Sequence, residues 1–345
     1  MSVDNSGSRR RSWGKRAFFG AAAATLAVLT AAPAVAAADP APGGRNRDIT
    51  LDSKEDVISR KANGALTVYP HSGSFDAANA GATYQNGVAI NWGWNNASWI
   101  SAGNVTNDLK TDILAQVGGI VTAYQHSGAY DPANPTATLG KTQQFGGAGW
   151  DLFDLKLQAD FNGDGIDDVV GRRGDKLYVW PVVPDASDKI QVYPAQQIGE
   201  YFDGIDQLDI ADLNADTLPD AIVREGDQLV VYYGQPTQQA QSRSAAGAPF
   251  TASVVFSKNR VSSPQARTAA AAVPQYQIIS GGWSLADRTV VKDVNLDGKP
   301  DIVSRLKSDG QLLAFLNTGV AADGTVGFSG RNYLGAKWVG DSFIN

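Results

Sequence analysis

Short runs of alternating apolar and polar residues recur along the chain, separated by loops rich in Asp, Asn and Gly. Trp150-Asp151-Leu152-Phe153-Asp154-Leu155 opens one run, and an alternating segment ending in Trp180 belongs to another. A period of two marks a β-strand with one side turned to a core. The runs are ordered. An apolar pair comes first (Val57-Ile58, Ile113-Leu114, Val169-Val170, Ala221-Ile222, Ile302-Val303), then a turn (Asn63-Gly64, Gly118-Gly119, Gly174-Asp175, Gly226-Asp227, Asp309-Gly310). A strand ending in an aromatic follows: Tyr69, Tyr124, Trp180, Tyr232 or Phe315. Two β-runs around such a turn predict a hairpin. The tripeptide Arg173-Gly174-Asp175 sits at one of these turns and is read as a turn.

Each hairpin is preceded by an oxygen-rich loop. Asp160, Asn162, Asp164 and Asp168 stand at positions 1, 3, 5 and 9, with Gly165 at position 6 and the carbonyl of Ile166 at position 7. Asp212, Asn214, Asp216, Leu218 and Asp220 repeat the pattern, as do Asp293, Asn295, Asp297, Lys299 and Asp301. Weaker copies lie at Asp48, Thr50, Asp52 and Asp56, and at Asn104, Thr106, Asp108 and Asp112. Calcium takes about six to eight oxygens, and alternate residues of a tight loop can supply them, so the predicted cofactor is calcium. An EF-hand needs an acid at position 12, where Gly171, Val223 and Ser304 stand, and it needs flanking helices.

The ninth positions fall at intervals of 56, 56, 52 and 81 residues. An aromatic lies ten residues before four of the loops, at Trp94, Trp150, Phe202 and Trp283. A repeat of about 50 to 60 residues with about four short strands is the pattern of a propeller blade. The expected fold is all-β: a β-propeller of five four-stranded blades over residues 48–345. Trp338-Val339-Gly340-Asp341-Ser342-Phe343-Ile344-Asn345 supplies the aromatic strand that the first loop lacks, so the C-terminal strand should close the first blade. The long interval holds a polar stretch at about 235–275, expected as an inserted, partly mobile loop.

These loops, with the trailing apolar pair, the Gly turn and the Gly-Trp strands, resemble FG-GAP/VCBS repeats of the integrin-α-like propeller superfamily, in its secreted actinobacterial form. The resemblance implies calcium in the loops and a role in adhesion, carbohydrate binding or protein binding. The literal Phe-Gly and Gly-Ala-Pro signatures are not kept in register, and five blades are fewer than the integrin propeller has.

Composition adds export. Arg9, Arg10, Arg11, Lys15 and Arg16 precede an Ala-rich apolar stretch that ends in small residues. Residues 1–38 read as a signal peptide, twin-arginine-like or Sec, followed by a linker at 39–47, which makes the chain secreted. A membrane anchor is the competing reading. The weak hydrophobicity of the Ala-rich stretch and Pro33 at its end disfavour it. Without residues 1–38 the 29 basic and 35 acidic residues become 24 and 34, a net charge of −10. That balance argues against nucleic acid as a partner. Cysteine is absent, so no disulfide or thiol chemistry is available.

Recognition candidates are few. Trp92 and Trp99, beside Asn95, suit stacking on a sugar ring, with packing between blades as the alternative. His71 and His126 occupy matching loops 55 residues apart, as repeated ligand sites or as a duplicated turn. Neither a nucleophile elbow, a zinc motif nor a phosphate loop is present. The expected function is a monomeric, non-catalytic binding or adhesion module for an extracellular glycan or protein polymer. A lectin with repeated sugar sites and a calcium-dependent polysaccharide enzyme are the alternatives.

Overall fold

The structure, a computed structural model, describes residues 47–236, 254–257, 275–336 and 338–343. Residues 1–38, expected to direct export, residues 39–46 of the expected linker and most of the 235–275 stretch lie outside the described residues.

Five antiparallel sheets form the ring expected of a five-bladed propeller. The first blade holds β1 (Val57–Arg60), β2 (Leu66–Tyr69) and β3 (Val88–Asn91). The second holds β4 (Trp99–Gly103), β5 (Asp112–Val117), β6 (Ile120–His126) and β7 (Leu139–Gln144). In the third, β8 (Asp154–Ala159), β9 (Asp168–Arg173) and β10 (Lys176–Trp180) are followed by the ribbon β11 (Val182–Pro184) and β12 (Ile190–Val192), then β13 (Gln196–Glu200). The fourth runs through β14 (Ile205–Ala211), β15 (Asp220–Glu225), β16 (Gln228–Tyr232) and, beyond β17 (Gln235–Pro236) and β18 (Val254–Ser257), β19 (Tyr276–Ser280). The fifth holds β20 (Ala286–Lys292), β21 (Asp301–Leu306), β22 (Leu312–Val320) and β23 (Val326–Gly335).

Closure is as expected, with an addition. The last strand, β24 (Ser342–Phe343), pairs antiparallel with β1 through Ser59↔Phe343 and Arg60↔Ser342. Further along the same edge of β1, Asp56 donates its N–H to the carbonyl of Arg47. The innermost strand of the first blade is therefore built from both ends of the ring. Arg47, expected in the linker, belongs to it.

Each blade packs on the next through its own apolar cluster. Five clusters correspond to five blade–blade contacts, including the closing one, where Val57, Tyr69 and Tyr84 meet Val303, Leu312 and Trp338. This explains the apolar pairs after each loop: the second strand is covered on both sides, so it cannot alternate. The repeated aromatics also meet. Trp94 lies against Tyr124, Trp150 against Trp180, Phe202 against Tyr232, Trp283 against Phe315 and Trp338 against Tyr69. All five ring centroid distances fall between 4.8 and 5.2 Å. Tilted or edge-on pairs of this kind add about 0.5–1.5 kcal/mol beyond burial.

The insertion corrects one expectation. Its described parts are strands rather than loop: β18 joins β13 in parallel and β17 pairs with β18, so the third sheet has six strands. The cause is the alternation of Val254, Val255 and Phe256, which buries Val254 and Phe256 in the cluster between the third and fourth blades.

Candidate functional site

The oxygen loops share one geometry. Position 1 receives N–H bonds from within its own loop: Asp48 from Asp52 and Ser53, Asp160 from Gly163, Asp164 and Gly165, Asp212 from Asp216 and Thr217, Asp293 from Asp297 and Gly298. Asn104 takes this place in the second loop. Its Oδ1 accepts from Thr106 and its Nδ2 donates to Gly165 in the neighbouring loop. The fold back onto position 1 needs left-handed residues at positions 4 and 6, which Gly163 and Gly165 supply freely. Ala215 and Thr217 adopt the same conformation at a steric cost.

Position 9 has a different task. Asp56, Asp112, Asp168, Asp220 and Asp301 are all fully buried. One oxygen of each accepts the N–H at the end of the third strand, from His71, His126, Val182, Gly234 and Asn317 respectively. In four of them the other oxygen accepts the N–H of loop position 2, from Ile49, Val105, Leu213 and Val294. The carboxylate thus clamps the loop to the blade. Asp168 is the exception, because its Oδ2 is buried without a hydrogen-bond partner. Burial pushes Asp56, Asp112 and Asp301 up to about 7, and Asp168 and Asp220 well above the usual carboxylate range.

Positions 5 and 7 divide the loops into two kinds. Lys54, Lys110 and Lys299 stand at position 7 and bond the position-5 carboxylates Asp52, Asp108 and Asp297 at 3.0, 2.8 and 2.7 Å. Burial raises Asp108 and Asp297, but the lysine bonds outweigh it, and both fall below the ordinary value. The third and fourth loops have Ile166 and Leu218 there instead. Among the described residues Asp164 and Asp216 then bond the amide groups of Asn162 and Asn214 and backbone N–H groups. Burial raises Asp160 and Asp164, and lifts Asp212 to about 6. Among the described residues no three His, Asp or Glu side chains stand in an arrangement that would hold a metal.

The histidines are tied inward. His71 is fully buried and His126 nearly so. In each, Nδ1 accepts an N–H, from Gly73 or Gly128, which leaves Nε2 as the donor. His71 donates to Val294 of the fifth blade's loop and His126 to Ile49 of the first blade's loop, both at 3.0 Å. Asn317 does the same work in the fifth blade, donating to Leu213 of the fourth.

At the other end of the blades a repeated arginine escaped the sequence reading. Arg60, Arg172, Arg224 and Arg305 stand four residues after the ninth aspartate. Each spans to the next blade and donates to two carbonyls around its aromatic turn: Trp94 and Ala97, Phe202 and Ile205, Trp283 and Ala286, Trp338 and Asp341. The spacing Asp-x-x-x-Arg was the available signal. Gln116 holds the place in the second blade.

The three residues of the predicted sugar platform have different surroundings. Trp92 is exposed, and Asn95 lies beside Gly64, over a hairpin turn of the first blade. Trp99 instead donates its indole N–H to Lys156, whose ammonium lies 5.8 Å from its ring. Two cavities stand out among the described residues. One, of about 270 Å³, lies between the second and third blades, lined by Gly146, Gly147, Gly149, Trp150, Phe153, Trp180 and Tyr193 among others. The other, of about 170 Å³, lies where the innermost strands of all five blades converge.

No protein-family model matches the chain, and no curated protein matches it. Among solved structures it is similar to an Agrocybe aegerita lectin described as recognising non-reducing terminal N-acetylglucosamine. That similarity has 15% identity, a TM-score of 0.41 and coverage of 84% of this chain and 65% of the lectin. It is also similar to a Photorhabdus luminescens Tc holotoxin pore, with 11% identity, a TM-score of 0.34 and coverage of 84% of this chain and 12% of the toxin. The chain thus spans less than two thirds of either one's length.

Proposed function

We propose that this chain is a secreted, calcium-stabilised propeller of the FG-GAP/VCBS type that binds an extracellular polymer, a glycan foremost, without catalysis. The supporting observation is the cleft between the second and third blades. Residues 146–149, three glycines and Ala148, keep one wall low, while the exposed Tyr193 and half-buried Phe153, with the largely buried Trp150 and Trp180, give the cleft aromatic surface. Aromatic faces in an open, low-walled cleft suit the apolar side of a sugar ring. Tyr193 is the most accessible of the four and carries a hydroxyl.

Calcium would sit first in the third and fourth loops. Asp160, Asn162, Asp164, Asp168 and the Ile166 carbonyl would hold it in one, and Asp212, Asn214, Asp216, Asp220 and the Leu218 carbonyl in the other. Their carboxylates lack a lysine partner, and the orphaned Oδ2 of Asp168 fits a cation. A bound ion would neutralise these carboxylates and cross-link each loop. In the other three loops it would have to displace a lysine.

The non-catalytic reading rests on burial. Aspartates shifted to about 7 are natural candidates for proton transfer. Here Asp56, Asp112 and Asp301 are sealed, with both oxygens on backbone N–H groups, and no substrate can reach them. A glycan array probed with the chain in calcium tests the proposal. Selective binding supports it, and a blank array with turnover of a polysaccharide would replace it with the enzyme reading.

A further inference from the structure

The cavity on the propeller axis is chemically unlike the aromatic cleft. Every blade lines it: Arg60 and Ser342 from the first, Ser98 to Ser101 from the second, Leu155 to Leu157 from the third, Asp206 to Asp209 from the fourth and Arg288 to Val290 from the fifth. β24, β4, β8, β14 and β20 are edge strands of their sheets. Their unpaired backbone groups therefore add donors and acceptors around the axis. Towards the oxygen loops, the buried Arg47 donates to Val291 and lies 3.7 Å from Asp209.

Most charges here are already used. Arg60 donates to Trp94, Ala97 and Ser342, and Lys156 donates to the Phe153 carbonyl. Arg224 takes Asp206 through two bonds, and Asp209 accepts N–H groups from Ile210 and Val291. Two groups remain. Arg288, on the lining, has no hydrogen bond or ion pair to its guanidinium among the described residues. Gln207 is only 6% exposed, yet neither atom of its amide has a partner. A buried amide without partners is costly, which marks a place where a ligand or water completes the bonding. Partial desolvation and the nearby Arg305, Arg60 and Arg224 lower the Arg288 pKa against the raising effect of Asp287, and the side chain stays exposed enough for an anion to approach it.

We propose that this axial cavity binds a single sugar acid, with the carboxylate on Arg288 and the hydroxyls on Gln207 and the strand edges. The volume suits one ring rather than a drug-sized ligand, for which about 300–1,000 Å³ is usual. A free sugar acid and the acidic end of a polysaccharide share this chemistry.

Calorimetry with the full chain tests the site, using glucuronate, glucose, inorganic phosphate and an oligomer of glucuronate. Glucuronate should bind at least about tenfold tighter than glucose or phosphate. Tighter binding of the monomer would point to a free acid, and tighter binding of the oligomer to a chain end. Either order keeps the site. Arg288→Gln should lose about tenfold or more in glucuronate affinity while melting like the parent, because its side chain holds nothing else. Gln207→Leu, which removes the orphaned amide, should raise the melting temperature and still weaken glucuronate. Tyr193→Ala should leave glucuronate binding unchanged, which separates this site from the cleft. Equal affinity for glucuronate and glucose, phosphate as tight as glucuronate (an adventitious ion only), or undiminished binding in folded Arg288→Gln would overturn the assignment.

Discussion

His71 of the first blade donates its Nε2–H to the carbonyl of Val294 in the fifth blade's oxygen loop, across the point where the ring closes. His126 repeats the bond from the second blade to the first, and Asn317 from the fifth to the fourth. Burial holds both imidazoles below their ordinary pKa, and accepting an N–H at Nδ1 keeps each in one tautomer. With the folded value below the unfolded one, this stabilisation is present above about pH 6.5 and lost as pH falls through the folded value. His71→Ala should cost about 1–3 kcal/mol at pH 7. His71→Asn, imitating Asn317, should cost less and should not titrate. Thermal melts from pH 5 to 8 check both. An Asn variant as weak as the Ala variant at pH 7 would contradict the staple.

The C-terminal segment is structural. Trp338 is fully buried against Tyr69, Asp341 accepts from Ser59 and Lys61, and Arg305 donates to the carbonyls of Trp338 and Asp341. Trp338→Ala should cost about 3–5 kcal/mol. Deleting residues 336–345 should cost more and expose β1 as an edge, with association expected in light scattering. A deletion variant that stays monomeric and melts like the parent would refute the closure.

Calcium and pH should act together. Asp56, Asp112, Asp301 and Asp212 have folded pKa values raised by burial to about 6–7, so their contribution is full below the unfolded value near 4 and lost as pH rises through the folded one. With Asp168 and Asp220 also raised, these carboxylates outnumber the two imidazoles, and in chelator the melting temperature should fall between pH 5 and 8. Calcium should flatten that fall, adding about 2.7 kcal/mol at a hundredfold excess over Kd. Asp164→Ala should remove more of the gain than Asp297→Ala, since Lys299 already serves Asp297. Identical melts with calcium and with chelator at pH 7.5 would remove the cofactor.

Much of the ring was legible because its signals are local and repeated. The aromatics spaced ten residues before each loop met the aromatics ending the third strands, and Trp338 announced the closing strand. What was not legible depends on partners distant in sequence. Position 9 looks the same in the sequence whether it faces an ion or the N–H of a residue 14 to 16 positions on, such as His126 or Asn317. Nothing near His71 announces Val294, 223 residues away. Arg60, Arg172, Arg224 and Arg305 were visible as a spacing, but their meaning lies in the carbonyls of the next blade. Arg47 looked like linker because the partners of its side chain, Val291 and Asp209, belong to distant blades.

Polymer binding is the direct test of the proposed function. The measurement is retention on immobilised polysaccharides from an array-positive source, comparing the parent with Tyr193→Ala and Gly147→Trp in calcium. Tyr193→Ala removes exposed aromatic surface, and Gly147→Trp builds out the low wall, where a Cβ meets nothing within 4 Å. Both should weaken retention by about twofold to tenfold while the melting temperature holds, in line with stacking worth about 0.5–1.5 kcal/mol beyond burial. Unchanged retention in both variants, with both folded, would contradict the cleft as the binding surface.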